Sequence, residues 1–212
     1  MRSSILLIED RSSRQQNFTQ NLNINLNDFS ILKNICGGNE FHLFKEKISS
    51  DMSFFDEYDI IIIHRSALTP EERALLRDYV DIKAKILVFF SGGISSTLLQ
   101  KIGKGQLLTI NSKDFYSENL VLFLKNSGKE ILELAFGKYW ELNLLIGAHE
   151  KITFYILKYN KKKPLSAVLV DLELPNELPK WIIDKNNDEL IEKKQLIDIN
   201  KKIHEDIKKL LK

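Results

Sequence analysis

The sequence predicts an open α/β sheet of five parallel strands in residues 1–128, followed by an α-rich extension over residues 129–212. Three observations lead there. Short apolar runs alternate with longer amphipathic stretches, the pattern of strands joined by right-handed helical crossovers. Ile60–Ile63 is four isoleucines in a row, as a central parallel strand covered on both faces requires. Polar, chemistry-bearing residues follow the apolar runs, and in such sheets the loops at the carboxyl ends of the strands form the functional crevice.

The elements follow in order. Ile5–Ile8 is the first strand, Arg14–Leu22 the first helix, Phe29–Ile35 the second strand and Glu40–Ile48 the second helix. After the third strand, Thr69-Pro-Glu-Glu is a helix start with a hydroxyl N-cap, proline at the first helical position and acids in the first turn. Ile86–Phe90 is the fourth strand, with Ser91-Gly92-Gly93 as a tight strand-to-helix turn. Leu107–Ile110 is the fifth strand, and Ser117–Lys125 the closing helix. Beyond Gly128, Glu130–Ile146 reads as a helix apolar on more than one face. Lys151–Tyr159 and Ser166–Leu174, separated by NKKKP, read as a β-hairpin; the first of them also reads as a continuation of the helix. LPNELPKW marks a turn or linker. Asp188–Lys212 is a charged amphipathic helix with Leu196, Ile199, Ile203, Ile207 and Leu210 at spacings of three and four.

Composition narrows the function classes. An apolar fraction of 43% supports a real core. A net charge of +2 gives no general attraction to nucleic acid or anionic membrane, and there is no arginine after Gly128. A lone cysteine, Cys36, allows no intrachain disulfide and no cysteine-built metal site, which fits a reducing compartment. The N-terminal apolar run is too short for a signal peptide and no run approaches a spanning length, so a cytoplasmic location is expected.

Glu9 and Asp10 follow the first strand, His64 ends the third, Ser91 ends the fourth, and Lys113 follows the fifth in KDFYSENL. These residues, in this order, resemble the active-site frame of a response-regulator receiver domain, over Ser4 to about Lys125. The resemblance implies a flavodoxin-like fold with Glu9 and Asp10 as magnesium ligands. It also implies Ser91 as the phosphoryl-oxygen partner and Lys113 as the conserved lysine. Three positions depart from it. His64 stands where the phosphoacceptor aspartate belongs, and imidazole neither forms an acyl phosphate nor suits magnesium, which prefers oxygen. Asp114 replaces the proline that follows the lysine, and Ile110 stands where the family often has an aromatic switch residue.

The expectation is therefore a degenerate receiver: no enzyme, with no resident cofactor beyond the magnesium implied for Glu9 and Asp10. It would act as a two-component-type signalling module through a protein partner and as a homodimer. The family's association face, its fourth helix, fifth strand and fifth helix, corresponds here to about Ile94–Lys125. Arg65 is the expected pairing partner of Glu9 or Asp10, filling the cation's place. Ser91, Gly92 and Gly93 could cradle an anion with backbone N–H groups, so a small-ligand or nucleotide sensor using this crevice is the alternative. A second alternative is a regulator binding nucleic acid through the extension, which the overall charge disfavours. Lys161–Lys163 reads as a solvated turn, Cys36 as core, and Asp171 with Glu173 as an acid pair on one strand face.

Overall fold

A computed structural model describes residues 4–48, 51–95, 97–172 and 190–212. The chain divides into a first unit ending at Lys138 and a second beginning at Tyr139.

In the first unit the strands are β1 (Ile5–Glu9), β2 (Leu32–Cys36), β3 (Ile60–His64), β4 (Ile86–Ser91), β5 (Leu98–Ile102) and β6 (Gly105–Asn111). They form one sheet in the order β2-β1-β3-β4-β6-β5. All neighbours are parallel except β5, which runs antiparallel to β6. The helices are α1 (Ser12–Leu22), α2 (Gly38–Ile48), α3 (Pro70–Lys83), α4 (Ser112–Phe115), α5 (Glu118–Lys125) and α6 (Ile131–Phe136).

Local chemistry accounts for these elements. β1 and β3 are buried along their whole length, as their unbroken apolar runs demand. The start of α3 closes a capping box: the Glu72 N–H donates to Thr69 Oγ1 at 3.2 Å, and the Thr69 N–H to Glu72 Oε2 at 2.7 Å. One sheet face carries Leu6, Ile8, Ile61, Ile63, Leu87 and Phe89 against Phe44 and Ile48 of α2 and Leu76 and Val80 of α3. The alternate residues, including Glu9, His64 and Phe90, therefore point to the other face.

The sixth strand corrects the expected five-stranded, all-parallel sheet. Where a helix was expected after β4, the chain instead forms β5 and turns back into β6 through Gly103 and Lys104. Gly103 has φ +53°, and a Cβ there would lie 1.7 Å from Asp81 Oδ1. A two-residue hairpin needs positive φ at its first central position, and glycine supplies it without cost to a side chain. The Asp81 carboxylate then accepts the Lys104 N–H at 2.9 Å. Ser91-Gly92-Gly93 accordingly leads into a strand, not a helix.

The second unit contains α7 (Trp140–Lys158), β7 (Lys163–Pro164), α8 (Leu165–Asp171), β8 (Leu190–Ile191) and α9 (Lys193–Leu210). The single helix expected over Glu130–Ile146 is two helices, separated at Gly137 with φ +79°. The expected hairpin of Lys151–Tyr159 with Ser166–Leu174 is not formed: the first segment continues α7, and Ser166–Asp171 lies within α8. Strand pairing is confined to Lys163↔Ile191 and Pro164↔Leu190 among the described residues. The terminal amphipathic helix starts at Lys193, later than the expected Asp188, because Leu190–Ile191 pair as β8; it buries Leu196, Ile199, Ile203 and Ile207 and leaves Leu210 exposed. The turn LPNELPKW and Glu173 lie outside the described residues.

Candidate functional site

Sheet register brings the site together. Glu9 pairs with Cys36 and Ile8 with Ile63, so His64 lies level with Glu9. His64 in turn pairs with Phe90, and Phe90 with Ile110. Asp10 lies one residue beyond β1, and Arg14 sits four residues further on, on the first turn of α1. From there its guanidinium reaches back to Glu9 and Asp10 at the end of β1.

Glu9 is fully buried. Its Oε1 accepts the Arg11 backbone N–H at 3.1 Å and Arg14 Nη1 at 2.8 Å. Its Oε2 accepts the Tyr116 hydroxyl at 3.0 Å. The same Arg14 nitrogen lies 3.2 Å from Asp10 Oδ1. Burial pushes the Glu9 carboxyl up to about 7, and a hydrogen bond it gives to Asp10 adds to the rise; Arg11, Arg14 and Tyr116 oppose it. Burial also pulls Asp10 upward, but hydrogen bonds from Glu9 and Ser66 and the charges of His64 and Arg14 outweigh it, leaving Asp10 below its ordinary value. Burial thus raises one carboxyl of the pair while its neighbour is held low.

His64 is buried at the end of β3. Its Nδ1 lies 2.6 Å from Ser66 Oγ and 3.2 Å from Asp10 Oδ1, and faces the Ser66 N–H at 3.2 Å. Ser66 Oγ reaches Asp10 Oδ2 at 2.8 Å. Burial, then the Arg14 charge, pushes the imidazole down to about 4 despite the pull of Asp10. At neutral pH the Asp10–His64 contact is therefore a polar contact of a neutral ring, not an ion pair. An aromatic wall holds the ring in place. Phe90 meets it edge-on at 5.1 Å and stacks on Phe115 at 4.1 Å, while Tyr116 packs on Phe90, Phe115 and Phe18. The Tyr116 phenol, buried beside Glu9, is driven well above its ordinary range. Beside Glu9, Cys36 is pushed up to about 11, by burial first and then by the two acids, and so stays an inert thiol.

Of the residues the sequence singled out, Glu9, Asp10 and His64 are brought together, with ligand atoms within 4.8 Å of one another. Ser91 and Lys113 are not joined to them by any hydrogen bond or ion pair among the described residues. Ser91 Oγ accepts the Gly93 N–H at 3.3 Å, so one amide of the expected anion cradle is turned onto its own side chain. Lys113 is exposed on α4, where its N–H caps onto Asn111 Oδ1 at 2.9 Å, and the bond to Asp114 is trans. The cation over the acids is Arg14, not Arg65, which is exposed. Sequence reasoning missed Arg14, Ser66 and Tyr116; the four-residue spacing from Asp10 to Arg14 was the available signal.

A hard divalent cation needs ionised carboxylate oxygens turned toward it. Here both Glu9 oxygens accept protein donors, and Arg14 holds the position between the two acids. These residues do not fit magnesium. No helix among the described residues is long and apolar enough to cross a membrane. Comparison with protein-family models, with curated proteins and with solved structures finds no match to this chain.

Proposed function

We propose that the first unit is a receiver-type, flavodoxin-like domain that has given up phosphoryl chemistry and works as a constitutive protein-interaction module in signalling. The observation that carries this reading is the Arg14 guanidinium, 2.8 Å from Glu9 and 3.2 Å from Asp10. An internal cation stands where the exchangeable one would be, and a neutral imidazole ends the strand that would present the phosphoacceptor. The reading is supported by the order of the five parallel strands and by the placing of acids, His64 and Ser91 at one sheet edge. With nothing to accept a phosphoryl group, the domain holds one state and signals by presence, not by modification.

The β5–β6 hairpin with α5, residues 98–125, takes the place of the family's association face, and we assign self-association to it. Light scattering across a concentration series, with and without acetyl phosphate and magnesium, tests this. The same concentration-dependent dimerisation in both conditions is expected. A mass that changes with the phosphodonor, or a monomer at every concentration, would count against it.

A further inference from the structure

We propose that the lysine- and aromatic-lined groove at the C-terminal end of α7 binds single-stranded nucleic acid. The net charge of +2 conceals a local excess: Lys151–Lys163 holds five lysines and no acid. In the structure Lys151, Lys158, Lys161 and Lys163 converge on one groove of about 590 Å³, within the range of roughly 300–1,000 Å³ typical of ligand sites. Lys162 and Lys163 are each paired with an acid, Glu192 and Asp171. Lys158 and Lys161 are exposed and have no acidic partner among the described residues.

The apolar lining decides what kind of polyanion fits. It is aromatic: Phe154, Tyr155 and Tyr159, with Leu172 the only aliphatic side chain among the described residues. Phe154 is 65% exposed, a large ring left in water beside the lysines. Tyr159 is fixed by its hydroxyl, which donates to the Ile191 carbonyl at 2.7 Å, and Tyr155 meets it edge-on at 6.4 Å. Rings on a lysine-lined groove suit unstacked bases, every one of which has a π-face, while the lysines track the backbone. A duplex would offer phosphates but no free base faces. An acidic peptide would find few aliphatic partners for its own side chains.

The test is fluorescence anisotropy of the full chain with a labelled oligothymidylate of about a dozen nucleotides, within the span of such sites, over a salt series. Saturable binding is expected, weakening with salt by a log–log slope of roughly 0.7 per phosphate contacted. Phe154→Ala should weaken it by roughly tenfold with the slope unchanged, since stacking is not ionic. Lys158→Glu with Lys161→Glu should flatten the slope, and Lys101→Glu in the first unit should change nothing. All of these side chains but Phe154 are exposed charges and Phe154 itself faces water, so melting curves should match the wild type. The proposal is overturned by absence of binding at low salt, or by binding that survives both groove variants. Equal affinity for a duplex of the same length, or displacement by polyglutamate at equal charge, would overturn it too.

Discussion

The strand ends of the first unit and the end of α7 in the second treat their polar groups in opposite ways. At the strand ends of the first unit, Glu9, Asp10, Arg14, His64, Ser66 and Tyr116 are turned on one another through a chain of hydrogen bonds and ion pairs. At the C-terminal end of α7 in the second unit, Lys158 and Phe154 face water instead. A buried charge is tolerated only when paired and hydrogen-bonded, because the cost of leaving it bare is several kcal/mol. A closed network therefore holds a fold in place. Exposed charge beside exposed aromatic surface costs little to leave unpartnered and is where a ligand finds something to gain.

Four substitutions test this contrast. Phe90→Ala removes a fully buried ring that carries both His64 and Phe115; urea denaturation should show a loss of about 3–5 kcal/mol. Arg14→Ala leaves Glu9 and Asp10 without their cation. Because Arg14 is 26% exposed, the loss should sit near or below the usual range for a broken buried pair, about 2–4 kcal/mol at pH 8. It should shrink as pH falls below about 7, where Glu9 takes up a proton.

The third test concerns pH. The Glu9 carboxyl is raised from 4.5 to about 7, so the stability it contributes is fully present below pH 4.5 and is lost as pH rises through 7. His64 is lowered from 6.5 to about 4, so its contribution is present above pH 6.5 and is lost as pH falls through 4. Between 4.5 and 6.5 the two nearly cancel, and wild-type stability should be almost flat. Asp10, held below its ordinary 3.8, adds its loss only in more acidic solution. His64→Asn removes one arm, so that variant should gain stability on acidification across the same window, by up to about 1.4 kcal/mol per pH unit. Denaturant midpoints at four pH values would reveal the slope; a variant as flat as the wild type would break the linkage. The smallest effect belongs to the second unit: Lys158→Glu should move the melting free energy by no more than about 0.5 kcal/mol, as for a surface side chain outside any network.

Much of the first unit could be read from the residues. Four isoleucines in a row announced β3, and the Thr-Pro-Glu-Glu start of α3 follows from capping chemistry alone. β5 was missed although its signal is local: in LLQKIGKGQLLTIN two strand-like runs flank Gly103-Lys104, the spacing of a two-residue hairpin. Expecting a helix after every parallel strand hid it. In the second unit, KITFYILKY is rich in β-branched and aromatic residues and reads as a strand. Yet Ile152 and Ala148 are buried a turn apart on α7, which packs on α9, and tertiary packing overrides such propensities. At the site, the two carboxylates and His64 were visible as a strand-end set. Their partner cation was sought at Arg65, adjacent in sequence, whereas Arg14, in the first turn of α1, is the one that reaches both acids.

The central claim is that Arg14 takes the place of an exchangeable cation and so closes the strand-end crevice. Isothermal titration calorimetry of the whole chain with magnesium and beryllofluoride, beside the double variant Arg14→Ala with His64→Asp, tests it most directly. No heat of binding for the wild type is predicted, with saturable heat only in the double variant, where the internal cation is gone and an aspartate ends β3. Tight magnesium-dependent binding of beryllofluoride by the wild type would contradict the account.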